Sequence, residues 1–121
     1  MPHTTDQLRA VFAYRRVQEA ARQTGLWEKY QKASRAASAL AMGNGLMQAL
    51  LFLKDKDEGA GQLAEDVLAW LEEQNLVTSN DGFSARLHQL AGADVEQFLH
   101  ATQEALEILK WIKQFARAQG E

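Results

Sequence analysis

The sequence predicts an all-α protein, a single-domain bundle of about six helices. Three observations carry this. Pro2 is the only proline, so nothing but glycine and polar turns interrupts a helix. Apolar residues recur at helical spacing in nearly every segment. Residue patterns typical of helix starts stand ahead of the first and last periodic runs. A length of 121 residues suits one domain, 1–121, with one core.

Thr4 and Gln7 have capping-box spacing, which predicts a first helix from about Thr5 to Gln23, ended by Gly25. Ala10, Ala13, Tyr14, Val17, Ala20 and Ala21 share one face, small enough for a neighbouring helix to come close. Leu8 and Phe12 fall opposite, in line with Arg15 and Arg22. That face is either covered by another element or left for a partner. The second helix is predicted over Leu26–Met42, with Leu26, Tyr30, Ala33, Ala37 and Leu40 inward and Lys29, Lys32 and Arg35 outward.

The stretch GNGLMQALLFLK (43–54) follows. Gly43 is expected to close the second helix and Asn44 to cap the third. Leu46–Leu53 is apolar nearly all round, which predicts the central helix of the bundle. KDKDEGAG (54–61) reads as a charged, glycine-rich surface loop. A fourth helix is predicted over Gly61–Asn75, burying Leu63, Val67, Trp70 and Leu71 and exposing Glu65, Glu72 and Glu73. TSNDG (78–82) reads as a turn, with or without two very short strands. FSARLHQLAG forms a short helix stopping at Gly92. Asp94 and Gln97 then open a long last helix, Val95 to about Ala118, with Phe98, Ala105, Leu109, Ile112 and Ala116 inward.

Composition narrows the function classes. The chain has no cysteine, which removes disulfides, thiolate nucleophiles and Cys-bound metals. No signal pattern opens it, and no apolar run reaches the ~18 residues of a membrane span, so a cytoplasmic location is expected. Phosphate-loop, dinucleotide and nucleophile-elbow motifs are missing, and no enzyme activity or cofactor is expected. Glu96, His100 and Glu104 stand at i, i+4 and i+8, a spacing that could serve a metal-dependent hydrolase. All three lie on one helix with no second ligand-bearing helix facing them, so a solvated polar face is the preferred reading and no metal is expected. Trp27, Trp70 and Trp111 could stack on bases, but Trp70 and Trp111 read as core anchors, while Trp27 sits at a helix edge and suits either role.

Charge is the suggestive feature. The net charge of −3 hides a division: residues 1–56 carry nine Lys/Arg against four Asp/Glu, and residues 57–107 carry one against eleven. Either the unlike segments attract each other within the fold or separate surfaces meet separate partners. Arg15, Arg16, Arg22, Lys29, Lys32 and Arg35 lie in consecutive helices, and Lys110, Lys113 and Arg117 share a face of the last. Brought to one side, they would track a phosphate backbone.

Three stretches in order, RAVFAYRRV, NGLMQALLFLKDK and ATQEALEILKWIKQFARA, resemble the small subunit of the type III-B CRISPR-Cas effector, the Cmr complex. The resemblance spans roughly residues 9–118 and is weakest over 57–93. It implies an all-helical, non-catalytic subunit that stacks with further copies of itself and with the other effector subunits. It implies contact with guide and target RNA in antiviral defence, with no membrane and no small-molecule substrate. Recognition by guide pairing would suit a basic surface without base-reading chemistry. Leu8, Phe12 and Trp27 would then meet protein neighbours. The chain departs from the family pattern at Ile112 and Gln114, and at Phe98 and Leu99, leaving two fewer cations on the last helix. The resemblance therefore points to the first two helices for RNA contact before the last. The rival reading is a helical adapter of another assembly that binds no nucleic acid.

Overall fold

Six helices follow one another: α1 (Thr5–Ala21), α2 (Thr24–Asn44), α3 (Leu46–Lys56), α4 (Glu58–Glu73), α5 (Phe83–Gly92) and α6 (Val95–Gln119). The computed structural model describes residues 2–78 and 82–119. The fold is the all-α bundle the periodicity predicts, with no strand among the described residues. The turn expected at 78–82 lies mostly outside them. No helix of the described residues is long and apolar enough to cross a membrane.

The first helix starts as expected. Thr4 Oγ1 accepts from the Gln7 amide at 3.0 Å, and Gln7 Oε1 accepts from the Thr4 amide at 2.7 Å. Asp94 likewise accepts from the Gln97 amide, at 2.8 Å, and opens α6. Three expected boundaries move because glycines do different work from the one their composition suggests. Gly25 lies inside α2, and α1 already ends at Ala21. Gly43 is also helical. Asn44 is the last residue of α2, its side-chain amide donating to the Leu40 carbonyl, so it does not cap α3. The turn is made by Gly45 alone, at φ 87° and ψ 157°, a backbone conformation that suits glycine.

The expected loop at 54–61 is helix. α3 runs to Lys56, extended Asp57 makes the connection, and its carboxylate accepts from the Ala60 amide at 2.7 Å to cap α4. The glycines of this stretch are packing residues. A Cβ at Gly59 would stand 2.4 Å from the Tyr30 backbone nitrogen, so α4 lies backbone to backbone with α2 there. That approach makes α4 the central helix. It packs on α1, α2, α3 and α6, and its Ala60, Leu63, Ala64, Val67, Leu68, Trp70 and Leu71 are all buried. α3, expected at the centre, buries Leu46, Ala49, Leu50 and Leu53 but leaves Leu51 (45%) and Phe52 (54%) exposed.

α1 is turned relative to its predicted orientation. Ala13, Val17 and Ala20 face inward as expected, but Phe12 is buried with them at 3% exposure and Tyr14 stands 53% exposed. Of the face expected to carry Leu8, Phe12, Arg15 and Arg22, only Phe12 is thus covered, and the other three stay exposed. Phe12 meets Trp70 with ring centroids 5.1 Å apart, and burying this large ring outweighs burying the tyrosine. The expected inner stripes of α2 and α6 hold: Tyr30, Ala33 and Ala37 are buried in one, and Ala105, Leu109, Ile112 and Ala116 in the other.

A matched pair of substitutions tests the packing role of Gly59. Gly59→Ala should cost more than about 3 kcal/mol, because backbone must move to admit the methyl group. Gly43→Ala, with nothing within 4 Å of the added carbon, should stabilise by a few tenths to about 1 kcal/mol. Urea unfolding of both chains measures the difference.

Candidate nucleic-acid interface

Which cations are free to meet a ligand depends on which are used inside the fold. Ion pairs join the basic first segment to the acidic middle one. Arg9 reaches Glu104 at 2.6 Å, Arg16 reaches Asp66 at 3.3 Å, Lys29 reaches Glu58 at 3.1 Å and Lys54 reaches Glu65 at 2.8 Å. The attraction between unlike segments is therefore part of the fold.

Two of these pairs are anchored in the core. Asp66 is 1% exposed and accepts from Tyr30 Oη at 2.7 Å, Gln62 Nε2 at 2.8 Å and Arg16 Nη1 at 3.3 Å. Burial pushes its carboxyl up to about 6, against the opposing pull of those donors. Arg16 also lies over the Phe12 ring, 5.0 Å from its centroid. Trp70, which meets the Phe12 ring, donates from Nε1 to Glu104 at 2.9 Å, and Arg9 grips the same carboxylate. Burial works to raise Glu104, but the Arg9 and Trp70 hydrogen bonds outweigh it and hold the group below the usual range. Glu104 is thereby committed to the core, which strips a ligand from the metal reading of Glu96, His100 and Glu104. Among the described residues no group of three or more metal-ligating side chains is assembled.

The cations named from the sequence fall into two sets. Arg16 turns inward on Asp66, Lys29 pairs with Glu58, and Lys110 pairs along its own helix with Glu107 at 3.5 Å. Arg15, Arg22, Lys32, Arg35, Lys113 and Arg117 make no salt bridge among the described residues. Five of these six line two grooves beside the C-terminal half of α6. The α2/α6 groove, about 530 Å³, gathers Arg35, Lys113 and Arg117 with Gln31, Ser34 and a single acid, Glu28. Across α6, the α1/α6 groove of about 550 Å³ is lined by Arg15 and Arg22 with Val11, Tyr14, Gln18, Phe115 and again one acid, Glu19. Lys32 is exposed outside both grooves.

Helix direction explains the convergence. α1 and α6 run parallel, with Arg9 beside Glu104, Tyr14 beside Phe115 and Gln18 bonded to Gln119. α2 returns along them, so its Gln31 donates to the Ala116 carbonyl. The C-terminal parts of α1 and α6 and the N-terminal half of α2 thus share one end of the bundle. The sequence reading missed Tyr14 as a surface residue and did not single out Phe115. Of the apolar interface candidates, Leu8 is 46% exposed, Phe12 is core, and Trp27 is half-buried, stacked on Tyr30 with centroids 6.0 Å apart.

Known proteins share this architecture. The family model described as CRISPR-associated protein (Cas_Cmr5) matches residues 5–119. The crystal structure of a CRISPR-associated Cmr5 family protein from Thermus thermophilus is similar with a TM-score of 0.80. The two chains are 29% identical, over 98% of this chain and 100% of that one.

Two measurements separate the inward cations from the outward ones. Arg16→Ala should lose about 2 kcal/mol or more of stability, because Asp66 keeps its burial and loses its counter-charge. Arg15→Ala should stay within about 0.5 kcal/mol. The Asp66 carboxyl binds its proton more tightly in the folded chain than in the unfolded one. Its contribution to stability is therefore full below its ordinary value near 3.8 and lost as pH rises through about 6. From pH 7 to pH 5 the native chain should gain on the order of 1 kcal/mol relative to an Asp66→Asn chain. Urea titrations at the two pH values read this directly.

Proposed function

The chain belongs to the CRISPR-associated Cmr5 family, and from that membership we propose that it is a non-catalytic small subunit of a type III-B effector. In this role it lines the path of guide and target RNA and contacts backbone subunits and further copies of itself. The observation that carries the RNA contact is the gathering of Arg35, Lys113 and Arg117 in one groove between two helices. Three cations against the lone Glu28 leave an excess positive field, and a phosphate backbone is the polyanion such a field follows. An assembly whose sequence recognition comes from guide pairing needs only such backbone contact from this subunit.

Contact with protein neighbours draws on different residues. Leu51 and Phe52 on α3, with Met42 at the end of α2, are large, apolar and exposed. Such side chains suit burial against adjoining subunits. Leu8 and the open edge of Trp27 belong to the same reading. The adapter alternative needs the basic surface to meet acidic protein. Arg9, Arg16, Lys29 and Lys54 do so within the chain, but the groove cations do not.

A tagged chain recovered from its native host should bring down other effector subunits together with short RNAs sharing a constant repeat-derived end. Protein partners without such RNA would favour the adapter. In the assembled complex, Arg35→Glu, Lys113→Glu and Arg117→Glu together should weaken RNA retention. They should also flatten the slope of log affinity against log salt by roughly two to three units, about 0.7–0.9 per lost phosphate contact. An unchanged slope would remove the α2/α6 groove from the RNA path.

A further inference from the structure

The α1/α6 groove carries more than charge. Tyr14 meets Phe115 edge-on, with centroids 5.7 Å apart and planes at 73°. Phe115 in turn stacks on Trp111, at 6.2 Å and 26°. The outermost ring of this ladder, Tyr14, is half exposed and is flanked by Arg15 and Arg22, which make no ion pair among the described residues. The groove volume, about 550 Å³, falls within the roughly 300–1,000 Å³ of small-ligand sites.

Phosphate tracking alone gives no role to an exposed aromatic ring. Aromatic faces interleaved with unpaired cations are the combination by which proteins hold single-stranded nucleic acid, the ring taking a base and the cations the backbone. We propose that the α1/α6 groove is a base-stacking site for an unpaired RNA nucleotide, with Tyr14 as the platform and Arg15 and Arg22 on the adjoining phosphates. The proposal rests on the RNA-facing role argued above. Charge favours this occupant over an apolar protein segment, because both grooves beside α6 carry excess cations and a repeating polyanion can meet the two together. Stacking is tolerant of base identity, so the site would hold any sequence.

The test uses the full-length chain and two probes of equal length, a short oligoadenylate and its abasic ribose–phosphate counterpart, followed by fluorescence anisotropy at low salt. The native chain should bind the oligoadenylate more tightly than the abasic chain. Tyr14→Ala should lower oligoadenylate affinity about tenfold or more and leave the abasic affinity unchanged. Tyr14→Phe, which keeps the ring, should preserve both. Arg15→Glu with Arg22→Glu should weaken both probes. Loss of binding in the arginine variant with none in Tyr14→Ala would overturn the stacking site while leaving RNA contact intact. Failure of the native chain to bind either probe would overturn the stacking site as stated and remove direct support for RNA contact by the isolated chain. The retention measurement in the assembled complex would then decide RNA contact separately. Should Tyr14→Ala instead abolish a self-association seen by sedimentation without RNA, and leave oligoadenylate affinity unchanged, the groove holds a second copy and the proposal falls.

Discussion

The close passage of α4 across α2 at Gly59 is the constraint on which the rest of the bundle depends. With no side chain at that position, the α4 backbone comes against the Tyr30 backbone, and the helices pack more tightly than two ordinary residues allow. Two turns further along α4, Asp66 is thereby set against the Tyr30 hydroxyl at 2.7 Å. An acid buried to 1% exposure needs donors and a counter-charge, and α1 supplies the counter-charge through Arg16. Arg16 fixes the rotation of α1, which lays Phe12 on Trp70. Trp70 and Arg9 then share Glu104 and bring α6 into register with α1.

That chain of contacts also sorts the charges. The arginines on the inner flank of α1, Arg9 and Arg16, are spent on buried acids. Arg15 and Arg22, on its outer side, are left in a groove beside α6. A buried ion pair contributes little net stability, since desolvation offsets most of the attraction. Its effect here is orientation, because turning α1 away from this pairing would take Arg16 from Asp66 and carry Phe12 off Trp70. The orientation that satisfies the core is thus the one that presents Tyr14, Arg15 and Arg22 to solvent.

The two grooves share the C-terminal half of α6 but differ in character. The α2 side is cationic and polar, and the α1 side adds aromatic and aliphatic surface to its two arginines. Lys113 and Arg117 of the last helix reach the same groove as Arg35. Position supplies what number does not, because one exposed cation from α2 completes a cluster that neither helix forms alone. The exposed Leu51 and Phe52 of α3 lie on a different helix and line neither groove.

The sequence by itself determined the helices and most of their inward stripes. A 3.6-residue apolar period, a capping box at Thr4 and Gln7 and an aspartate cap at Asp94 are local signals, and local hydrogen bonding and burial obey them. It also determined the family, through motifs that span most of the chain. It did not determine the role of each glycine. Gly59 looks like loop composition until α2 is seen against it, while Gly45 alone makes the turn expected of its neighbours. Nor could it rotate α1 correctly, since Ala10, Ala13, Tyr14 and Val17 form as plausible a stripe as the one used. Only the tertiary structure decided that, because the choice rests on partners 50 and 95 residues away, Asp66 for Arg16 and Glu104 for Arg9. For the same reason the sequence could count the cations but not tell the buried counter-ions from those left free for a ligand.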